Sequence, residues 1–226
     1  LGIAERPLLE WFAHHVRPGQ TWLDIGAHHG YTALALARSV GPTGRVFAFE
    51  ALPRTAGTLA HTKLANGLPQ LVVVPLGLGC PERLERIETC PTDTGMVTYG
   101  DPTPGLTESM YVESLDRLWP SLCGADSTID GVKIDVQGWE IETLRGMRQL
   151  LARHQPLLAV ETHAGVDRDE LLNLLASVNY DAPPRSIENG NVGQPVGQLL
   201  DNTTYDFRPL RPASRSSSAP QDRRAA

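Results

Sequence analysis

The sequence is short of cysteine, of long apolar runs and of positive charge, and each shortage excludes something. Its three cysteines, Cys80, Cys90 and Cys123, are an odd number without metal-site spacing. That speaks against a disulfide framework and favours a reducing, cytoplasmic setting. No apolar stretch approaches the roughly 18 residues of a membrane-spanning helix, so no membrane partner is expected. Acidic residues outnumber basic ones, 26 to 20, for a formal net charge of -6. A nucleic-acid binder is usually basic, so this balance points away from nucleic acid and toward a small-molecule ligand. The chain begins at Leu1 rather than Met, so its start excludes neither a preceding segment nor a removed signal peptide.

What is present is a regular alternation of short apolar runs and helical patterns. An amphipathic helix is predicted over 5–17, with Leu8, Leu9, Phe12 and Val16 on one side and Pro18-Gly19 ending it. T-W-L-D-I-G reads as a buried strand ending at Asp24 or Ile25, and the Ala- and Leu-rich residues 30–40 as a helix. A strand at 45–50, a helix at 54–66 closed by Asn66-Gly67, and a strand at 71–76 follow. The rhythm stops over 77–113, a loop-rich insert with short strands predicted near 84–88 and 95–99. It resumes as a strand at 130–136, a helix at 139–152, a strand at 156–162 and a helix at 168–178. Residues 180–210 hold one or two weakly signalled strands. The tail from 212 is poor in apolar residues and is expected to be disordered. There is no internal repeat. The expectation is an α/β fold, one domain over 1–211 built on a doubly wound, mostly parallel sheet.

Ligands of such sheets bind at the carboxyl ends of the strands. The residues there are Asp24, Glu50 with Ala51, Leu76, Asp135, and Glu161 with His163. The first strand-to-helix turn reads D-I-G-A-H-H-G, 24–30. Its glycines permit a tight turn and close approach of a ligand. It departs from the dinucleotide fingerprint G-x-G-x-x-G in having an acid first and its last glycine one position late. A carboxylate repels a pyrophosphate and favours an ammonium group, so a ligand cationic at that end, such as S-adenosylmethionine, is expected. Glu50, 20 residues past Gly30, has the place and spacing of an acid that accepts from ribose hydroxyls. Taken singly, Asp24 reads equally well as a helix cap and Glu50 as a solvated strand end.

V-K-I-D-V-Q-G-W-E, 132–140, ends an apolar strand on a carboxylate. A buried, unpaired Asp135 would cost several kcal/mol. Either it faces a site, or it caps the following helix, or it pairs with Lys133 on the same strand face. Glu161 and His163 are likewise two apart. Imidazole has the intrinsic pKa range of a general base, and Asp135, Glu161 and His163 together form an adequate ligand set for a divalent cation.

Three segments, T-W-L-D-I-G-A-H-H-G-Y-T-A-L-A-L-A, V-F-A-F-E-A-L-P and V-K-I-D-V-Q-G-W-E-I-E-T-L-R-G-M, resemble the FkbM family of S-adenosylmethionine-dependent methyltransferases. Y-V-E-S-L-D-R-L, 111–118, and Asn66-Gly67 are similar too, and the likeness runs from about 5 to 180. The resemblance implies a class I methyltransferase (Rossmann-like) fold, and O-methylation of a hydroxyl on a small molecule, natural product or sugar. It implies cofactor contacts at Asp24, Gly26, Ala27, Gly30, Tyr31 and Glu50, and at Glu5 in the leading helix. Asp135, beside the transferred methyl, would carry the chemistry with His163 or Glu161. Two positions depart from the family pattern: His28 stands where Asn is usual, and Gln137 where Glu is usual. These departures keep open a non-catalytic, cofactor-binding scaffold. A nicotinamide-dependent oxidoreductase is the other alternative.

Overall fold

A computed structural model describes residues 5–88, 107–124, 127–180, 182–188 and 192–210. The strand expected near 95–99 and the tail from 212 lie outside them. Along the chain run α1 (Arg6–His15), β1 (Thr21–Ile25), α2 (Tyr31–Val40), β2 (Arg45–Phe49), α3 (Pro53–Ala65) and β3 (Leu71–Val74). Then come β4 (Gly77–Leu78), β5 (Arg83–Glu88), β6 (Thr107–Glu113), α4 (Leu115–Cys123) and β7 (Gly131–Ile134). The chain continues through α5 (Glu140–Gly146), α6 (Arg148–His154), β8 (Leu157–Thr162), α7 (Arg168–Ala176), β9 (Arg185–Ser186) and β10 (Thr203–Phe207).

The main sheet has seven strands in the order β3-β2-β1-β7-β8-β10-β9. Its first five are parallel, while β10 runs antiparallel to β8 and β9 antiparallel to β10. Successive strand residues feed different cores. Leu23, Ile25, Phe47 and Phe49 join one buried cluster with Leu115, Trp119, Leu144 and Leu171. Trp22, Val46 and Ala48 join another with Phe12, Leu36 and Leu59. This two-residue alternation marks a sheet covered on both faces. From β1 the chain winds outward to β2 and β3, then returns to place β7 on the other side of β1. That reversal leaves a crevice beyond the carboxyl ends of β1 and β7.

The structure corrects the expected elements in five places. On α1 the buried residues are Leu8, Trp11 and Phe12 rather than Leu9. In the described part of the 77–113 insert the strand expected near 84–88 is present as β5, but it belongs to a three-stranded sheet, β4-β6-β5, whose other two strands were not expected, with β4 parallel and β5 antiparallel to β6. A two-residue strand is too short to show a period. The helix α4 was not anticipated, because Pro120 within it reads as a break. The single helix expected over 139–152 is two, separated at Met147. Asp116 explains the break: its two carboxylate oxygens each accept a backbone N–H at 2.9 Å, from Gln149 and Leu150, capping α6 as a separate helix. The strand predicted over 71–76 stops at Val74, before Pro75, and Leu76 lies beyond it.

Candidate active site

The crevice is a cavity of about 530 Å³, within the roughly 300–1,000 Å³ of small-molecule sites. The strand-end turns form its floor. Gly26 has φ +76°, and a Cβ there would lie 1.8 Å from the Asp135 carbonyl oxygen. Only glycine lets the β1 and β7 turns approach this closely. His28 has φ +51° and Gln137 φ +54°, the left-handed region that Asn and His enter more readily than most residues. The backbone at 28 therefore accommodates His in place of Asn.

Of the residues expected to bind cofactor, Glu5, Gly26, Ala27, Tyr31, Glu50, Ala51, Leu76 and Asp135 line the cavity. Glu50 ends β2 with Oε2 accepting from the His28 N–H at 2.9 Å and Oε1 from the Leu52 N–H at 3.0 Å. Each oxygen thus keeps a lone pair for a further donor. Burial raises its pKa, and the two backbone hydrogen bonds pull the other way. Burial likewise raises that of Glu5.

Gly30 and Asp24 do not line the cavity. Gly30, at φ +95°, opens α2 where a Cβ would meet Leu59 Cδ1 at 2.4 Å; it serves packing. Asp24 is fully buried. Its Oδ2 accepts from Thr32 Oγ at 2.6 Å, and its Oδ1 lies 3.2 Å from Lys133 Nζ. The ammonium expected to meet Asp24 from a ligand is supplied by the protein. Lys133 Nζ also donates to the Gly26 carbonyl at 3.1 Å and lies 3.4 Å from Asp135 Oδ2. Burial alone would lower the Lys133 pKa, but Asp24 and Asp135 outweigh it and hold the ammonium charged. Lys133 lines the cavity, and its place there is the principal feature of the site that the sequence does not disclose, since same-face spacing indicates only its pairing with Asp135.

Asp135, Glu161 and His163 do come together, with one ligand atom each inside 4.8 Å of the others. Only Asp135 of the three lines the cavity. His163 is buried, with Nδ1 2.6 Å from Glu140 Oε1 and Nε2 2.9 Å from the Gln137 amide nitrogen. Burial would lower its pKa, yet hydrogen bonds to Glu140 and Glu161 and the charge of Asp135 raise it to about 10. As placed, the Gln137 amide suits a bare Nε2, whereas the three surrounding carboxylates favour a protonated ring. The carboxylates dominate, because an amide can turn over at small cost. In either form both ring nitrogens are engaged. His163 is therefore not a free general base, as its intrinsic pKa had suggested. Glu140, in the first turn of α5, is the fully buried partner of that ring.

The opposite wall is apolar. Leu78 of β4, Ile87 of β5, and Met110 and Val112 of β6 face the cavity, as does Trp139. Arg83 stacks over Trp139 with its guanidinium carbon 4.6 Å from the ring centroid. The small sheet, not a loop, forms this wall.

The Methyltransferase FkbM domain family matches residues 24–182. The chain belongs to the FkbM methyltransferase family. Its fold is shared with an FkbM methyltransferase from Methylobacillus flagellatus, at 20% identity and a TM-score of 0.55, over 88% of this chain and 50% of that one. Fibrillarin from Aeropyrum pernix, solved with natively bound S-adenosyl-L-methionine, is similar at 14% identity and a TM-score of 0.54, over 85% of this chain and 68% of that one. A protein-L-isoaspartate O-methyltransferase of Methanopyrus kandleri is 34% identical over 90 residues, 38% of this chain and 37% of that protein. This FkbM chain thus spans half or less of two of these relatives. Membership of a family dependent on S-adenosylmethionine displaces the oxidoreductase alternative. No helix among the described residues is long and apolar enough to cross a membrane.

Proposed function

We propose that the protein transfers a methyl group from S-adenosylmethionine to a hydroxyl of a small molecule, natural product or sugar. The observation that carries this is Glu50. It stands at the end of β2 on the cavity wall, each carboxylate oxygen held by one backbone N–H and open to one more donor. That is the arrangement a vicinal ribose diol requires. Gly26 and Ala27 let the ligand lie against the backbone. The Lys133 ammonium, faced by Asp24, Asp135 and the Gly26 carbonyl, holds the β1 and β7 turns together beneath the ligand, and Asp24 positions Lys133 rather than touching the ligand. S-adenosylmethionine supplies an electrophilic methyl on a sulfonium centre.

The chain's own part is placement and electrostatics. Asp135, held between Lys133 Nζ and the Gln137 amide, presents its outer edge to the cavity and orients the acceptor hydroxyl. Glu161 and His163 act behind it. The apolar wall of Leu78, Met110, Val112 and Trp139 suits the carbon skeleton of a small acceptor. The acids Glu5, Asp135 and Glu161, with a net charge of -6, oppose a phosphate backbone. The unpaired Cys80 and Cys123 suit a cytoplasmic setting. Methyl transfer to a panel of polyols, sugars and phenols, followed by mass spectrometry, tests the reading. Asp135→Asn is expected to lower turnover by about 100-fold while leaving S-adenosylhomocysteine affinity within a few-fold. Equal loss of both, or transfer only to nucleic acid, contradicts the proposal.

A further inference from the structure

Beside the cavity, carboxylates outnumber the cations that face them. His163 Nε2 lies 3.4 Å from Glu161 Oε1 and 3.6 Å from Asp135 Oδ1. Glu188, whose Oε1 accepts from Thr204 Oγ at 2.7 Å, is close enough to interact with both Glu161 and Asp135. Lys133 is shared with the buried Asp24.

Two features outside the Asp135–Glu161–His163 set indicate what the cluster is shaped to hold. The first is Glu140, on α5. It is fully buried, and its Oε1 lies 2.6 Å from His163 Nδ1 and accepts the Gly138 N–H at 3.1 Å. Its Oε2 is buried with no hydrogen-bond partner among the described residues. A buried anion behind one ring nitrogen fixes the ring and makes the opposite nitrogen a better ligand, as carboxylates behind metal-bound histidines do. Here that opposite nitrogen points at Asp135 and Glu161. The second is Gln137. Its amide nitrogen stands 3.0 Å from Asp135 Oδ1 and 2.9 Å from His163 Nε2. The amide thus occupies the position between the lone pairs that a cation would take. Turned over, it would offer that cation an oxygen.

We propose that Asp135, Glu161 and His163 Nε2 bind one divalent cation beside the cavity, the ion displacing the Nε2 proton to solvent and the Gln137 amide reorienting to admit it. Two carboxylates and an imidazole suit a first-row divalent ion of the Mn²⁺ or Zn²⁺ type rather than a soft, thiolate-seeking one. Asp135 reaches the cavity, so a position on the ion can open toward the acceptor and take its oxygen as a ligand. This last role rests on the methyl-transfer reading; cation binding itself does not.

The test is titration of the chelator-treated full chain with Mn²⁺, read by loss of the free-ion electron paramagnetic resonance signal, and with Zn²⁺ by calorimetry. S-adenosylhomocysteine affinity is measured on the same preparations. The expected result is one site per chain, weakened about tenfold or more in Glu161→Gln and in His163→Ala. Gln137→Glu, which adds a carboxylate at the centre, is expected to tighten it. S-adenosylhomocysteine affinity should stay within a few-fold in Glu161→Gln and His163→Ala, since neither residue lines the cavity. If His163→Ala fails to fold, the isosteric Glu161→Gln and the tightening in Gln137→Glu decide. A wild-type chain that binds S-adenosylhomocysteine but neither ion at millimolar concentration overturns the proposal, as does ion binding unchanged in Glu161→Gln. Variant-sensitive ion binding without S-adenosylhomocysteine binding would leave the cation site standing and overturn the cofactor reading instead.

Discussion

Lys133 joins the two halves of the site. Its ammonium lies 3.2 Å from Asp24 Oδ1, 3.4 Å from Asp135 Oδ2 and 3.1 Å from the Gly26 carbonyl. Both Lys133 and Asp24 are buried, so removing one leaves the other's charge uncompensated. Lys133→Met is expected to lower folding stability by about 3–5 kcal/mol, measured by denaturant unfolding. Adding Asp24→Asn should recover part of that loss, since neighbours in one ion-pair network are not additive. A strictly additive double variant would contradict the coupling. Glu50 supplies a pH dependence. Burial raises its pKa above 4.5 in the folded chain, so the native state holds a proton that the unfolded chain releases. Its contribution to stability therefore falls as pH rises from 4.5 through the raised value. Ribose hydroxyls donate to the ionised carboxylate, so cofactor affinity should rise with pH across the same window. Glu50→Gln should flatten that rise and weaken S-adenosylhomocysteine binding about tenfold or more, both read by calorimetry. Much of this residue scale was legible: strand-end placement brought out Glu50 and Asp135, and the two-residue spacing brought out the Lys133–Asp135 pair. That Asp24 also turns inward to Lys133 was not legible, because strand periodicity within β1 says nothing of the side chains on β7.

At the scale of elements, the site depends on how closely the turns after β1 and β7 approach. Gly26→Ala would place a methyl 1.8 Å from the Asp135 carbonyl oxygen, a backbone atom that cannot move aside as a side chain would. It is expected to displace the β7 turn and abolish cofactor binding while far-ultraviolet circular dichroism stays native. Retained S-adenosylhomocysteine affinity in Gly26→Ala would contradict this account. Elements with a strong period or a clear stop were legible: β1, β2, α2 and α3 fall within a residue or two of expectation. What escaped was set by tertiary contacts. The break between α5 and α6 follows from Asp116, 33 residues before Gln149. Gly146, the last residue of α5, packs against the Gly79 backbone, where a Cβ would lie 2.8 Å from the Gly79 carbonyl oxygen. Of the small sheet only β5, expected near 84–88, was legible; β4 has two residues and β6 pairs across a long gap with β5, so neither showed a period.

The whole molecule is a mostly parallel sheet whose winding reverses between β1 and β7, with the cavity-lining groups supplied by strand ends, the turns beyond them, the first residues of α2, the N-terminal Glu5 and the small sheet. Alternation of strand and helix predicted that architecture, and its fold is shared with solved methyltransferases. The acceptor is far less legible, because the wall facing it comes from the β4-β6-β5 sheet, whose sequence has no clear rhythm. The central claim is that this crevice holds S-adenosylmethionine through Glu50 and the Gly26 turn. Calorimetric titration of the purified chain with S-adenosylhomocysteine, with NAD as control, tests it most directly. The account predicts one site of micromolar affinity, weakened in Glu50→Gln, and no binding of NAD. A folded chain that binds NAD, or that leaves S-adenosylhomocysteine free at millimolar concentration, would contradict it.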